Sequence, residues 1–256
     1  MMSSISSDKP KRTIRLWSVA LWLLIWQGLS MYIGQEILLV SPVSVASRLS
    51  QLIFETVFWQ SVLFSFLRIA AGFWLATVSG IVFAALATRF RRVEEFLAPA
   101  ILFVKSTPVA SFIILVLIWV SSRNLSVVIS YLMVLPIIYT NLLNGIRNVD
   151  SKLLEMAAVF EIPKYRRVLY IYVSQVLPFF QSACLLGLGL AWKAGIAAEV
   201  IGIPTGSIGE KLYMAKIYFT TPDLFAWTFT IILVSLIFEK LFMLLIRSLI
   251  NRLGRL

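Results

Sequence analysis

Six apolar stretches, each long enough to cross a hydrocarbon layer, divide this chain: residues 16–33, 61–87, 97–120, 125–145, 174–200 and 223–246. A bilayer core takes about 20 residues of helix to span. Within it every backbone N–H and C=O must find a partner inside the protein, which leaves helices for runs of this length. Of the 256 residues, 60% are hydrophobic and the mean hydropathy is +0.91. Soluble domains stay at roughly 45–50% apolar, so lipid is the solvent for much of this chain. The expected fold is all-α: one integral membrane domain over 1–256 with six transmembrane helices. The first run lacks a small-x-small cleavage site and is expected to remain as a span.

The third run is interrupted by Lys105-Ser106-Thr107-Pro108. Proline removes a backbone donor and clashes with the preceding turn, so this span is expected to be bent or broken. Pro136 and Pro178 predict kinks in the fourth and fifth spans. Orientation follows from the cations. Fifteen Lys and Arg fall on one set of segments: the tail 1–15, the turn at 89–92, the loop 147–172 and the end beyond 246. The alternate loops 34–60 and 201–222, with Arg123, carry four. Both termini and the 147–172 loop are therefore expected in the cytosol, with 34–60 and 201–222 facing outward. In the first outer loop, Val45, Leu49, Leu52 and Ile53 form an amphipathic pattern after Ser41-Pro42. In the second, Gly202, Gly206 and Gly209 predict turns with a short helix after them.

Several functions are excluded by what is missing. Without histidine there is no Ser/His/Asp set and no Cys/His metal cluster. No Gly-x-x-x-x-Gly-Lys-Ser/Thr loop exists to cradle phosphates. No catalytic residue is assigned, and energy must come from another polypeptide or an ion gradient. The net charge of +11 punctuates apolar runs instead of forming one stripe, which argues against nucleic acid. The single cysteine, Cys184, sits in an apolar run and reads as an inert buried thiol.

Residues 155–173 are too polar for the bilayer. Their apolar positions, Met156, Val159 and Phe160, then Val168, Leu169 and Tyr172, have helical spacing. Pro163 separates the two sets, and Lys164, Arg166 and Arg167 open the second. Two short helices at an angle would make a knob suited to a partner's groove; a helix lying on the bilayer surface is the other reading of this pattern.

Here the sequence resembles the EAA loop of the permease subunits of binding-protein-dependent ABC importers. Glu155, Ala157 and Ala158 stand at or beside its first three positions. Glu161 occupies the position where that motif has glycine, Ser174 that of the first downstream proline, and Pro178 matches the second. Gly187 to Gly202 resembles the Gly-x-x-Trp-x-x-x-x-Ala-Ala-Glu stretch of the nitrate/sulfonate/taurine branch. Ser65-x-x-Arg68-x-x-x-Gly72 and Lys105-Ser106-Thr107-Pro108 … Ile118-Trp119 parallel two further stretches of that branch. Glu161 in place of glycine removes a turn residue and puts the angle between the short helices in question, although Pro163 can break the chain by itself.

The resemblance implies the fold of a type I importer permease and a homodimer in the bacterial inner membrane. Two cytosolic ATPases, which hold the ATP and Mg, would dock on Glu155, Met156, Ala157, Ala158, Phe160, Glu161, Pro163, Lys164, Arg166 and Arg167. A solute-binding protein would deliver a small solute (a sulfonate, nitrate or similar anion, or a vitamin precursor) from outside. The chain itself would bind no cofactor. Candidate pathway or gate residues are Lys105, Ser106, Thr107, Pro108, Trp192, Lys193 and Glu199, because ionisable groups within spans face protein or water. Trp192 equally suits packing, Lys105 a structural pair, and Arg68 either snorkelling or pairing with a helix end or Glu199. An ion-coupled secondary transporter is the alternative; it would need an internal repeat of spans, and none is visible.

Overall fold

A computed structural model describes residues 16–253; the tail assigned over 1–15 and residues 254–256 lie outside the described residues. Helix α1 covers Leu16–Ile33, α2 Pro42–Leu52 and α3 Thr56–Arg89. Next come α4 (Arg91–Ser106), α5 (Val109–Val116) and α6 (Ser122–Arg147). The shorter α7 (Ser151–Val159) and α8 (Lys164–Arg167) lead through a π-helical turn, Val168–Tyr172, into α9 (Val173–Gly202). Helices α10 (Ile208–Ile217) and α11 (Thr221–Leu253) complete the described chain.

Five helices are long and apolar enough to cross a membrane, and α4 with α5 forms a pair bent by 111° at Thr107-Pro108. Counted as one span, that pair brings the candidates among the described residues to the six expected, the third broken where the sequence placed the break. Thr107 caps α4 and Pro108 opens α5. Side chains at the bend fold back on the last turn of α4: Thr107 Oγ1 donates to Phe103 O at 2.7 Å and Ser106 Oγ to Leu102 O at 2.9 Å. Pro136 and Pro178 lie inside continuous helices.

The core is a three-helix unit of α3, α6 and α9. Small residues bring them together, since apolar attraction alone gives no preference for helix over lipid. A Cβ on Gly80 of α3 would meet Ile138 of α6 at 2.7 Å, and one on Gly195 of α9 would meet Ile69 and Ser130 at 2.7 Å. Gly72 faces Ser130, Gly80 faces Ile138, and Gly187 faces Val134. Along these pairs α3 and α6 run parallel and α9 runs against both. Ser130 Oγ donates to Ala191 O at 3.1 Å, a side chain reaching across the α6–α9 contact. Phe73 is fully buried and meets Phe238 and Phe242 of α11 edge-on. Helix α1 buries only Ser30 among its described residues. It leans on α11 through Trp26, which stacks on Phe229.

One end of this bundle gathers the arginine-rich segments: the α3–α4 turn, the end of α6 and the α7–α8 region. We call it the basic end. Arg147 of α6 pairs there with Glu94 of α4. At the opposite end lie α2 and α10. Val45 and Leu52 of α2 are buried, as the amphipathic pattern predicts, while Ile53 stays exposed. Arg48 of α2 is paired with Asp223 at the start of α11.

Candidate functional site

The α7–α8 segment is built from local signals. Asp150 caps α7, its side chain accepting from Lys152 N at 2.9 Å. Its own N–H donates to Gln175 Oε1 of α9 at 2.9 Å, tying the loop to the span. At the far end of α7, Glu161 N donates to Ala158 O at 3.1 Å and Ile162 N to Ala157 O at 2.9 Å. These two bonds form a Schellman ending, in which the residue after the cap takes the left-handed conformation. That residue is Glu161, with φ of 52°. Glutamate here takes a conformation that glycine adopts without steric cost. The doubt that Glu161 raised about the turn is answered: the left-handed turn forms with glutamate in it, and Pro163 then starts α8.

Above this turn the knob presents an uncovered apolar surface. Val159 is 79% exposed and Phe160 73%, with Met156 and Tyr165 also exposed. Glu155, Ala158, Glu161, Pro163, Lys164 and Arg166 are exposed around them. Ala157 differs from its neighbours: it is fully buried, and its carbonyl accepts both Ile162 N and, at 3.4 Å, Arg167 Nη2. Ala157 and Arg167 thus hold the knob together, whereas Glu155, Met156 and Phe160 form its surface.

The second short helix does not stand apart from the fifth span. From Lys164 to Gly202 the helix is unbroken over 39 residues, including the π-helical turn. Ser174, within this stretch, keeps the backbone donor that a proline there would lack.

The polar residues within the spans separate into two groups. Lys105 and Lys193 are exposed on the described subunit, and neither has a carboxylate within ion-pair range among the described residues. Val104 and Val109, beside the break, pack in one cluster with Leu190 and Ala194 of α9. Trp192 and Glu199 are interior. Trp192 packs near Phe66 and Phe238. Glu199 is 0% exposed, where Ser65 Oγ of α3 donates to its Oε2 at 2.6 Å. Gly209 N at the start of α10 donates to the same oxygen at 3.4 Å, and Ile208 N donates to Ser65 Oγ at 3.0 Å. This cluster pins α10 to α3 and α9. Its signal in the sequence was Ser65 itself, one turn before Arg68 on the same face. Arg68 goes to a helix end instead: its Nε donates to Arg123 O at 2.6 Å, and its guanidinium lies 3.7 Å from the Phe64 ring centre.

Residues 76–255 match the family described as "Binding-protein-dependent transport system inner membrane component". Among curated proteins the chain is 27% identical over 229 residues to SsuC of Bacillus subtilis, a permease named for aliphatic sulfonates transport. That match covers 89% of this chain and 83% of the relative. It is 26% identical over 236 residues to the riboflavin transport system permease protein RibX of Chloroflexus aurantiacus, covering 91% and 88%. It is also 24% identical over 162 residues to the bicarbonate transport system permease protein CmpB of Synechococcus elongatus, covering 63% and 57%.

Proposed function

This chain belongs to the family of binding-protein-dependent transport system inner membrane components, and from that membership we propose how its knob, spans and charges divide the work of transport. It is the membrane-spanning subunit of an ABC importer of the nitrate/sulfonate type. Membership sets aside the ion-coupled secondary transporter.

Two copies form the pathway, and each receives one ATPase subunit, which carries the ATP and Mg, on its α7–α8 knob. The basic end and both termini face the cytosol, where the excess of Lys and Arg belongs. The observation that carries this reading is the knob itself. Met156, Val159 and Phe160 are exposed outside the apolar spans, within a ring of charges, and α8, which follows them after the Glu161 turn, runs without a break into α9. Large exposed apolar groups rimmed by polar ones mark protein contacts. A displacement of α8 must tilt α9, because no hinge separates them beyond the π-helical turn. Tilting α9 moves the α3–α6 unit packed on it and the α10 segment pinned through Glu199. ATP binding would select one of two such arrangements by differential affinity. A solute-binding protein docks at the opposite end, on α2 and α10. The cargo is a small anion or a vitamin precursor, with Lys105 and Lys193 lining its path and Trp192 and Glu199 holding the helices behind them.

Glu155→Lys tests the docking. The side chain is exposed, so the variant should insert normally, and its ATPase should still hydrolyse ATP while uptake into proteoliposomes collapses. Normal uptake by this variant would remove Glu155 from the docking surface. Ala157 is unsuited to this test, since a bulky residue there disturbs the knob's own interior.

A further inference from the structure

A second feature of the basic end borders the knob and shares Lys164 with it. An apolar groove of about 330 Å³ lies where α3, α6 and the start of α9 meet. Ile81 and Ala85 of α3, Leu142 and Ile146 of α6, and Val168 and Tyr172 of the π-helical turn form most of its wall. Two cations sit just past these residues. Arg89 is four residues after Ala85 and Lys164 four before Val168, so each lies one helical turn beyond the groove on the same face. Both are exposed, and neither is within ion-pair range of a carboxylate among the described residues. Of the carboxylates at this end, Glu94 is paired with Arg147, Glu95 with Arg91, and Asp150 caps α7, while Glu155 and Glu161 on the knob are exposed and in no ion pair among the described residues.

We propose that this groove binds an acidic membrane lipid, one acyl chain lying against Ile81, Ala85, Leu142 and Val168 and the anionic headgroup between Arg89 and Lys164. An apolar wall on membrane-spanning helices favours a hydrocarbon chain, and exposed cations at its polar mouth, Arg89 beside the Phe90 ring and Lys164, favour a negative headgroup over a neutral one. A free phosphate would satisfy the cations but leave the wall uncovered. Because Val168 and Tyr172 belong to the segment joining the knob to α9, a lipid seated there contacts the region that must move in transport.

The test is native mass spectrometry of the purified full chain, given phosphatidylglycerol or phosphatidylcholine with matched acyl chains. The native chain should retain phosphatidylglycerol preferentially. Arg89→Gln with Lys164→Gln, both surface changes, should lower that retention roughly fivefold for each cation removed and leave phosphatidylcholine unaffected. Ala85→Phe, which fills the groove, should lower the retention of both lipids. Equal retention of the two lipids by the native chain overturns the proposal. So does full displacement of phosphatidylglycerol by soluble glycerol phosphate, which would mark a bare phosphate site. If Ala85→Phe leaves lipid counts intact but dissociates a dimer, a second copy of the chain is the occupant and the lipid assignment fails.

Discussion

Glu161 holds a side chain in a backbone conformation that glycine adopts without steric cost. The left-handed conformation costs an L residue about 1–2 kcal/mol. Glu161→Gly is therefore expected to raise stability by about 1 kcal/mol, read from thermal unfolding in detergent, while Glu161→Val lowers it. Destabilisation by the glycine variant would mean that the carboxylate makes a contact worth more than the strain. Ile203, with φ of 47°, carries similar strain at the end of α9, four residues after Glu199, whose carbonyl accepts its N–H at 2.8 Å. At Glu199 a buried carboxylate oxygen is served by Ser65 and by a backbone N–H. Removing a partner from a buried polar group costs about 1–3 kcal/mol. Ser65→Ala should lower stability by that amount and loosen α10, seen as faster hydrogen exchange over 205–215. Unchanged exchange there would show that α10 is held by packing alone.

Among the elements, α9 shows most clearly how one helix can serve two surfaces. Gly195 is wedged against Ile69 and Ser130, whereas a Cβ on Gly189 would meet nothing within 4 Å. Overpacking a tight contact costs about 1–3 kcal/mol. Gly195→Ala should therefore destabilise the subunit by about that amount, and Gly189→Ala should leave its thermal stability unchanged. Equal effects of the two would mean that the α3–α6–α9 contact yields easily. Composition already marked α9 as a packing helix, because its small residues are dense. Which glycine faces a neighbour could not be read from the sequence, since that depends on the rotation of α9 against helices up to 130 residues away. The same holds for the cap of α7: the motif located the turn, but the two hydrogen bonds at Ala157 and Ala158 were needed to show that glutamate keeps its shape.

For the whole molecule, the α9 face bearing Gly189 and Lys193 is left uncovered by the rest of the described subunit. Cys184 is fully buried, so a cysteine placed at 193 would be the accessible thiol. In the assembled transporter, Lys193→Cys is expected to react with a charged, membrane-impermeant maleimide, as a water-lined path requires; absence of labelling would place that face against lipid or protein. The length and polarity of the runs determined the class, the number of spans, the break at Pro108 and the position of the knob. These are properties of a chain against its solvent, because a bilayer rejects unpaired backbone wherever the rest of the protein lies. Only the tertiary structure decided that Ser65 serves Glu199 while Arg68 turns to Arg123, that Trp192 packs inward while Lys193 points away, and that α8 continues into α9. Apart from the local continuity of α8 with α9, those outcomes depend on which helices become neighbours and at what depth, and pairings across 55 or 134 residues leave no periodic trace in the order of the amino acids.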